Sequence, residues 1–295
     1  MPDPADPAMP DETEGESRFV ETNGVRLHTV AAGPEDRPLV VLLHGFPEFW
    51  YGWHELIRPL ANAGYRVVAL DQRGYNASEK PAGVAAYHVD ELAADVAGLV
   101  DALGHESAHV VGHDWGAAVA WWLALHHPDR VRTLTAVDVP HPTVFRRTLR
   151  RSWDQRRRSW YIPFLAVPAL PERLMRAGDW WFPVHTMRSS SRPGTFDAAD
   201  FERYRAAWRA PGAFTAMLNW YRSLVRDRPE PRTERVDPPT LVCWGGRDSF
   251  LRTSMARQSL AYCRDARLAV FPDATHWVVH EEPARLADYL LEQFA

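Results

Sequence analysis

His109-Val-Val-Gly112-His113-Asp114-Trp115-Gly116-Ala117 joins a short β-branched run to an apolar segment of helical character, and its reading decides the fold. Glycines two residues before and two residues after Asp114 permit a sharp strand-to-helix turn that exposes the central side chain. This is the pattern of a nucleophile elbow, usually built around serine, with aspartate in its place. The plainer reading is that Asp114 only caps the helix Ala117 to His126, as Asp does well. A cap does not require glycine at both flanks, so Asp114 is read as a candidate nucleophile.

Working outward, short apolar runs recur at 39–43, 66–70, 109–111, 133–137, 240–244 and 267–271, with helical segments between them. They are continuously apolar rather than alternating, which suits strands of a parallel sheet covered on both faces. Leu92, Val96, Leu99, Val100 and Leu103 fall at helical spacing, with Asp90 as the expected cap and Gly104 as the stop. A last helix is expected from about Pro283. Ahead of the first parallel strand, Phe19 to Ala32 reads as a hairpin turning at Asn23-Gly24. Alternating β and α units of this kind predict an α/β domain. The rhythm breaks between about residues 141 and 237, a stretch rich in Arg, Pro and aromatics without a convincing buried strand. A helical insertion is expected there, and insertions at strand ends of open α/β folds cover the ligand crevice. The division is therefore a core of 18–140 and 238–295, a helical lid of 141–237, and an acidic tail, 1–17, expected to be disordered.

The 295 residues carry 34 basic and 38 acidic side chains, a net charge of −4, which offers no footprint for nucleic acid. A chain of this length buries roughly 75% of its unfolded surface and needs no metal or disulfide to fold. Cys243 and Cys263 are expected to be buried free thiols. No signal peptide or spanning segment is evident, the longest apolar stretch being about half the length a spanning helix needs, so a cytoplasmic location without membrane insertion is expected. Lys80 is the single lysine, read as a matter of genomic base composition. Thirteen tryptophans are far more than packing usually requires, and their placement matters more than their number.

An aspartate nucleophile attacks carbon and leaves an ester on the enzyme. Against a carboxylic ester it would form an anhydride, so the substrate needs an electrophilic sp³ carbon. The ester must then be hydrolysed by water that a base activates. His276 is the candidate base, because it follows the final strand in the chain order nucleophile, acid, histidine. Asp248, in Trp244-Gly-Gly-Arg-Asp248, is the candidate acid that orients the imidazole, with Asp138 as a rival. His44-Gly45-Phe46-Pro47 reads either as a tight turn or as half of an oxyanion hole, whose donors would be the backbone N–H groups of Phe46 and Trp115.

His44-Gly-Phe-Pro-Glu48, Asp71-Gln-Arg-Gly-Tyr75 through Ser78, Gly112-His-Asp-Trp-Gly116, Trp244-Gly-Gly-Arg-Asp248 and His276-Trp277 together resemble the α/β-hydrolase-fold epoxide hydrolases. The resemblance covers everything but the acidic tail. It implies an α/β-hydrolase fold: a mostly parallel central sheet, helices on both faces and an inserted helical cap. It also implies two cap tyrosines that bind the epoxide oxygen and act as the acid for ring opening. Ser159-Trp-Tyr161 and Leu218-Asn-Trp-Tyr221-Arg222 resemble the segments that carry them, which makes Tyr161 and Tyr221 the candidates. The expected activity is hydrolysis of an ether bond, turning an apolar epoxide into a vicinal diol with no cofactor or metal. The dehalogenases, which share the aspartate nucleophile, are the alternative, with Trp115 as a halide contact. A binding protein on a degraded hydrolase scaffold is the non-enzymatic one. The chain departs from the family at Asn76, Ala166 and Asp138, where glycine, glutamine and asparagine are usual.

The tryptophans then divide. Trp115, Trp160, Trp220 and Trp277 adjoin candidate catalytic residues and, with Phe46, are the expected substrate contacts. Trp153, Trp180, Trp181 and Trp208 are expected to form an aromatic roof within the lid, and the others to pack the core. The arginine run from Arg146 to Arg158 is read as the solvated face of a cap helix rather than a site for an anionic partner. A homodimer is kept open.

Overall fold

The computed structural model describes residues 8–11 and 13–295. Their strands form one sheet in the order β1-β2-β4-β3-β5-β6-β7-β8. β1 (Glu16–Thr22) and β2 (Val25–Ala32) are the expected hairpin, paired Thr22 to Val25 across Asn23-Gly24. β3 (Leu39–Leu43), β4 (Arg66–Leu70), β5 (Ala108–His113), β6 (Val131–Val137), β7 (Thr240–Gly245) and β8 (Ala266–Phe271) run parallel. Every residue of β3, β4, β5 and β7 is buried, which is why these runs carry apolar residues without alternation. β8 lies at the edge and alternates.

The strand order decides where a site can form. From β3 the chain steps outward to β4 on one side, then returns to lay β5 on the other. Loops leaving β3 and β5 therefore diverge and open a crevice at their carboxyl ends. The first carries His44 to Glu48 and the second Asp114. Around the sheet lie α1 (His54–Asn62), α2 (Val89–Ala102), α3 (Trp115–His126) and, near the carboxyl terminus, the long last helix Pro283–Phe294. α3 is apolar on nearly all sides because it packs on β3, β5 and β6 and on α2.

Between β6 and β7 the chain is helical, as expected: α4 (Pro142–Arg151), α5 (Trp153–Arg158), α6 (Tyr161–Leu165), α7 (Leu170–Ser190), α8 (Ala198–Arg209) and α9 (Ala213–Asp227). α7 is broken at Ala177 to Trp180, where Gly178, Asp179 and Trp180 take φ of +59°, +53° and +65°. After β7 follow α10 (Ser254–Ser259), α11 (Val278–Glu281) and the last helix as α12.

Several expectations are corrected. α2 is capped by His88, whose Nδ1 accepts from Asp90 N–H, while Asp90 accepts from the indole of Trp122. α3 begins at Trp115 rather than Ala117. The tail is ordered wherever residues before Ser17 are described: Ala8 is buried and its carbonyl accepts from Trp50 Nε1 at 2.9 Å. Glu14 pairs with Arg203 at 3.1 Å, and β1 already starts at Glu16. Residues 1–7 and 12 lie outside the described residues. Cys243 is buried as expected, but Cys263 is half-buried. The lid tryptophans form no common roof. Trp180 and Trp208 are packed against each other and buried, whereas Trp153 and Trp181 are exposed, Trp181 directly after the break in α7. Among the described residues no helix is long and apolar enough to cross a membrane.

Candidate active site

Asp114 stands at the junction of β5 and α3 with φ +48° and ψ −121°, a backbone setting that L-residues rarely adopt. The flanking glycines permit it by close approach. A Cβ on Gly116 would strike the carbonyls of Leu43 and His44, and one on Gly112 would strike the backbone of Gly116. The loop after β3 meets the elbow there. Phe46 N–H donates to Asp114 Oδ1 at 2.8 Å, and the Phe46–Pro47 peptide that follows is cis. Trp115 opens α3, so its N–H belongs to the helix's unbonded first turn.

His276, between β8 and α11, brings Nε2 to 3.5 Å from Asp114 Oδ2. Its Nδ1–H donates to Asp248 Oδ2 at 2.8 Å. The other oxygen of Asp248 accepts the backbone N–H groups of Phe250 and Leu251 at 2.6 and 2.9 Å, which fixes the carboxylate. Burial works against a charge on His276, yet the carboxylates of Asp248 and Asp114 outweigh it and raise its pKa well above the usual histidine value. Burial likewise opposes the Asp114 carboxylate, but His276 and the Phe46 N–H hold its pKa below the ordinary one. The two form an ion pair.

Asp138, the rival acid, bonds Gly245 N–H at 2.6 Å, and its Oδ2 has no partner among the described residues. Burial and the nearby Asp248 charge push its pKa well above the usual carboxylate value. Of the two acids, Asp248 is the one bonded to the imidazole.

Asp114 and His276 open into a cavity of about 180 Å³, which Tyr161, Tyr221, Phe46 and Trp160 also line. The rings of Tyr161 and Tyr221 lie 6.3 Å apart and nearly perpendicular. Burial, then the Asp114 charge, raises the pKa of both phenols, which keeps them protonated as donors. Trp277 completes the wall and is fixed by its indole N–H to Ser190 Oγ at 2.9 Å.

Two expected substrate contacts are not in the wall. Trp220 is fully buried and donates to the Arg73 carbonyl at 3.1 Å. Its neighbour Tyr221 faces the cavity because successive helical residues point about 100° apart. Trp115 is wedged edge-on between Trp220 and Tyr221, with ring centroids 5.5 and 5.2 Å away, and supports the tyrosine from behind.

Sequence reasoning missed Phe250 and the α7 residues Met175, Phe182, Pro183, Thr186 and Met187, which supply much of the wall. It also missed a buried network. Glu48 accepts from Tyr204 OH at 2.9 Å and pairs with His280 at 2.6 Å and His113 at 3.0 Å. His113 in turn donates from Nε2 to the carbonyl of His276 at 2.8 Å. Burial opposes the Glu48 charge, but the two histidines hold its pKa well below the usual glutamate value. The signal was present in His44-Gly-Phe-Pro-Glu48, whose last residue was given no role. Among the described residues, His113, Asp138 and His276 bring potential metal-donor atoms within 4.8 Å of one another. His276 Nδ1 and both His113 nitrogens are already engaged in the bonds above, so the cluster reads as a hydrogen-bond network.

Fold and site together define an α/β hydrolase, and the family model described as alpha/beta hydrolase fold matches residues 38–283. Among curated proteins, the chain is 44% identical to the AB hydrolase superfamily protein YfhM of Bacillus subtilis over 93% of this chain and 96% of that protein. It is 35% identical to Epoxide hydrolase 1 of Caenorhabditis elegans, over 95% of this chain and 71% of that protein. Among solved structures, the Bacillus megaterium epoxide hydrolase superposes with a TM-score of 0.86 at 28% identity, covering 94% of this chain and 99% of the other. Epoxide Hydrolase A from Mycobacterium thermoresistibile gives 0.77 at 32% identity, covering 94% and 97%. The chain belongs to the epoxide hydrolases of the α/β-hydrolase fold.

Proposed function

We propose that the protein hydrolyses apolar epoxides to vicinal diols, with Asp114 as nucleophile and His276 as base. One observation carries the reading: a single cavity is walled by Asp114, His276, Tyr161 and Tyr221. Asp114 Oδ2 attacks an epoxide carbon while the C–O bond breaks and the leaving oxygen takes a proton from one tyrosine, hydrogen-bonded to the other. Oδ1, on the Phe46 N–H, becomes the ester carbonyl oxygen.

Alkylation itself prepares the second step. The ester carries no charge, so His276 loses one of the two carboxylates that hold its proton and becomes a competent base. It gives up that proton, which restores the phenol, and then takes one from water as the water attacks the ester carbon. Phe46 N–H, with Trp115 N–H beside it, stabilises the developing oxyanion, and the diol leaves Asp114 as carboxylate. Asp248 holds the imidazole tautomer throughout.

On this reading the helices of 141–237 act as a cap over a core of 18–140 and 238–295. The cavity volume of about 180 Å³ suits a small epoxide. Hydrolytic dehalogenation is not favoured, because relatives and structural neighbours carry the epoxide hydrolase name and a halide needs no phenolic acid. The test is mass spectrometry of His276→Ala mixed with styrene oxide. An adduct of the epoxide's mass should accumulate on the peptide containing Asp114. An active wild type with Asp114 unmodified in the variant would sink the covalent route.

A further inference from the structure

The large exposed apolar side chains of the described residues all lie in the helical insertion, between Trp153 and Val225. Trp153 is 76% exposed, Trp181 60% and Trp160 56%. Monomeric proteins rarely leave several such groups together in water without a use for them. Their position is specific. Trp160 lines the active-site cavity, and Leu174 and Trp181 each precede a lining residue, Met175 and Phe182. α5, which carries Trp153, is tied to the same rim by Gln155, whose amide donates to the carbonyl of the lining residue Phe250 at 2.8 Å. The exposed apolar groups therefore sit on the elements that wall the cavity or are tied to it.

The charge of this segment is as unusual. Residues 141–190 hold ten arginines against Asp154, Glu172 and Asp179, in a chain whose net charge is −4. Arg150, Arg151, Arg173 and Arg176 are exposed and form no ion pair among the described residues. Arginine stems lie along apolar surface while their heads reach anions, and tryptophan prefers the boundary between water and hydrocarbon.

We propose that these groups collar the cavity mouth as a docking surface for an anionic lipid bilayer, on which the protein sits peripherally with that mouth against the membrane. Trp153, Leu174 and Trp181 enter the headgroup boundary, and the unpaired arginines meet lipid phosphates. No spanning helix is needed. One consequence rests on the epoxide reading: an apolar epoxide concentrates in the bilayer and enters the cavity past Trp160 without crossing water.

The test sediments the full chain with vesicles of equimolar phosphatidylglycerol and phosphatidylcholine at low salt. The protein should pellet with these, stay in solution with pure phosphatidylcholine, and be released by added salt. Arg150→Gln combined with Arg151→Gln should lower the partition coefficient on the order of tenfold. Leu174→Ser with Trp181→Ser should do likewise, and both variants should keep wild-type turnover of a water-soluble epoxide, since these side chains do not line the cavity. Recovery indifferent to vesicles or to lipid charge overturns the proposal, as does binding that survives the loss of Leu174 and Trp181. A dimer in sedimentation velocity that those substitutions dissolve would assign the face to a second copy instead. Binding is read without substrate, so a protein inactive on epoxides leaves the lipid result standing, and an active one that never pellets sinks the membrane surface alone.

Discussion

Alanine at position 45 would drive a single methyl group into the proposed nucleophile. A Cβ on Gly45 would overlap the Cβ of Asp114 and lie 2.9 Å from its Oδ1 and 3.0 Å from its Cγ. Carbon atoms pack at about 3.5–4.0 Å, so the carboxylate or the His44–Phe46 loop must retreat by about 1 Å. Gly45 is not among the positive-φ glycines, which makes the penalty purely steric. Either movement lengthens the 2.8 Å bond from Phe46 N–H and carries Oδ2 away from its place beside His276. A misplacement of about 1 Å costs on the order of 10²-fold in rate, and overpacking costs about 1–3 kcal/mol. Gly45→Ala should therefore slow single-turnover ester formation on the order of a hundredfold and lower the urea midpoint. A variant that alkylates at the wild-type rate with an unchanged midpoint would refute the reasoning, because the carboxylate would then not be held where these distances put it.

Replacing Tyr161 and Tyr221 together by Phe should reduce epoxide turnover by more than about 10²-fold while leaving hydrolysis of a preformed Asp114 ester largely intact, which separate pre-steady-state phases would resolve. Asp114→Asn removes one of the two carboxylates beside His276, so its imidazole should lose its proton at lower pH than in the wild type, as histidine NMR titration would read. The sign for stability follows: His276 has a raised folded pKa, so its contribution is present below the unfolded histidine pKa and fades as pH rises through the folded one. Glu48→Ala leaves His113 and His280 without their buried carboxylate and should cost about 3–5 kcal/mol in urea unfolding. Because the Glu48 pKa is depressed, that stabilisation should be lost in the wild type as pH falls through its folded value.

The elbow and the β-strands were legible because each is written in a few adjacent residues whose geometry is local, and Asp248 with His276, 28 residues apart, because chain order sets an acid and then a histidine after successive strands. Gly112, Asp114 and Gly116 state a turn, and a run such as Leu39 to Leu43 states a buried strand. The network around Glu48 was not legible, since its partners lie 65 residues away at His113 and 232 away at His280. Only the folded sheet brings them together. The cavity wall from α7 was hidden for another reason. Its backbone breaks at Ala177 to Trp180, so no single helical period links Met175 to Phe182 and Met187. Trp220 and Trp115 were misplaced because adjacency in sequence stood in for direction in space. Composition misled for the described part of the tail: four prolines and six acids in residues 1–17 argue for disorder, yet the Ala8 carbonyl is held by the Trp50 indole and Glu14 by Arg203.

Asp114 and Arg228 both hold a non-glycine residue at positive φ, and the difference between them bears on how this enzyme would evolve. Arg228, φ +46° and ψ +58°, closes α9 at a place where glycine is the ordinary choice. Arg228→Gly should raise the melting temperature at no catalytic cost, a gain of about 1 kcal/mol. Asp114 sits in a still less favourable region, costing about 1–3 kcal/mol, and glycine would relieve that strain equally well. A laboratory selection for heat resistance alone would then accept glycine at both positions, and one of them would leave a robust, inert protein. A screen that demands diol as well as survival would keep the strain at 114 and discard it at 228.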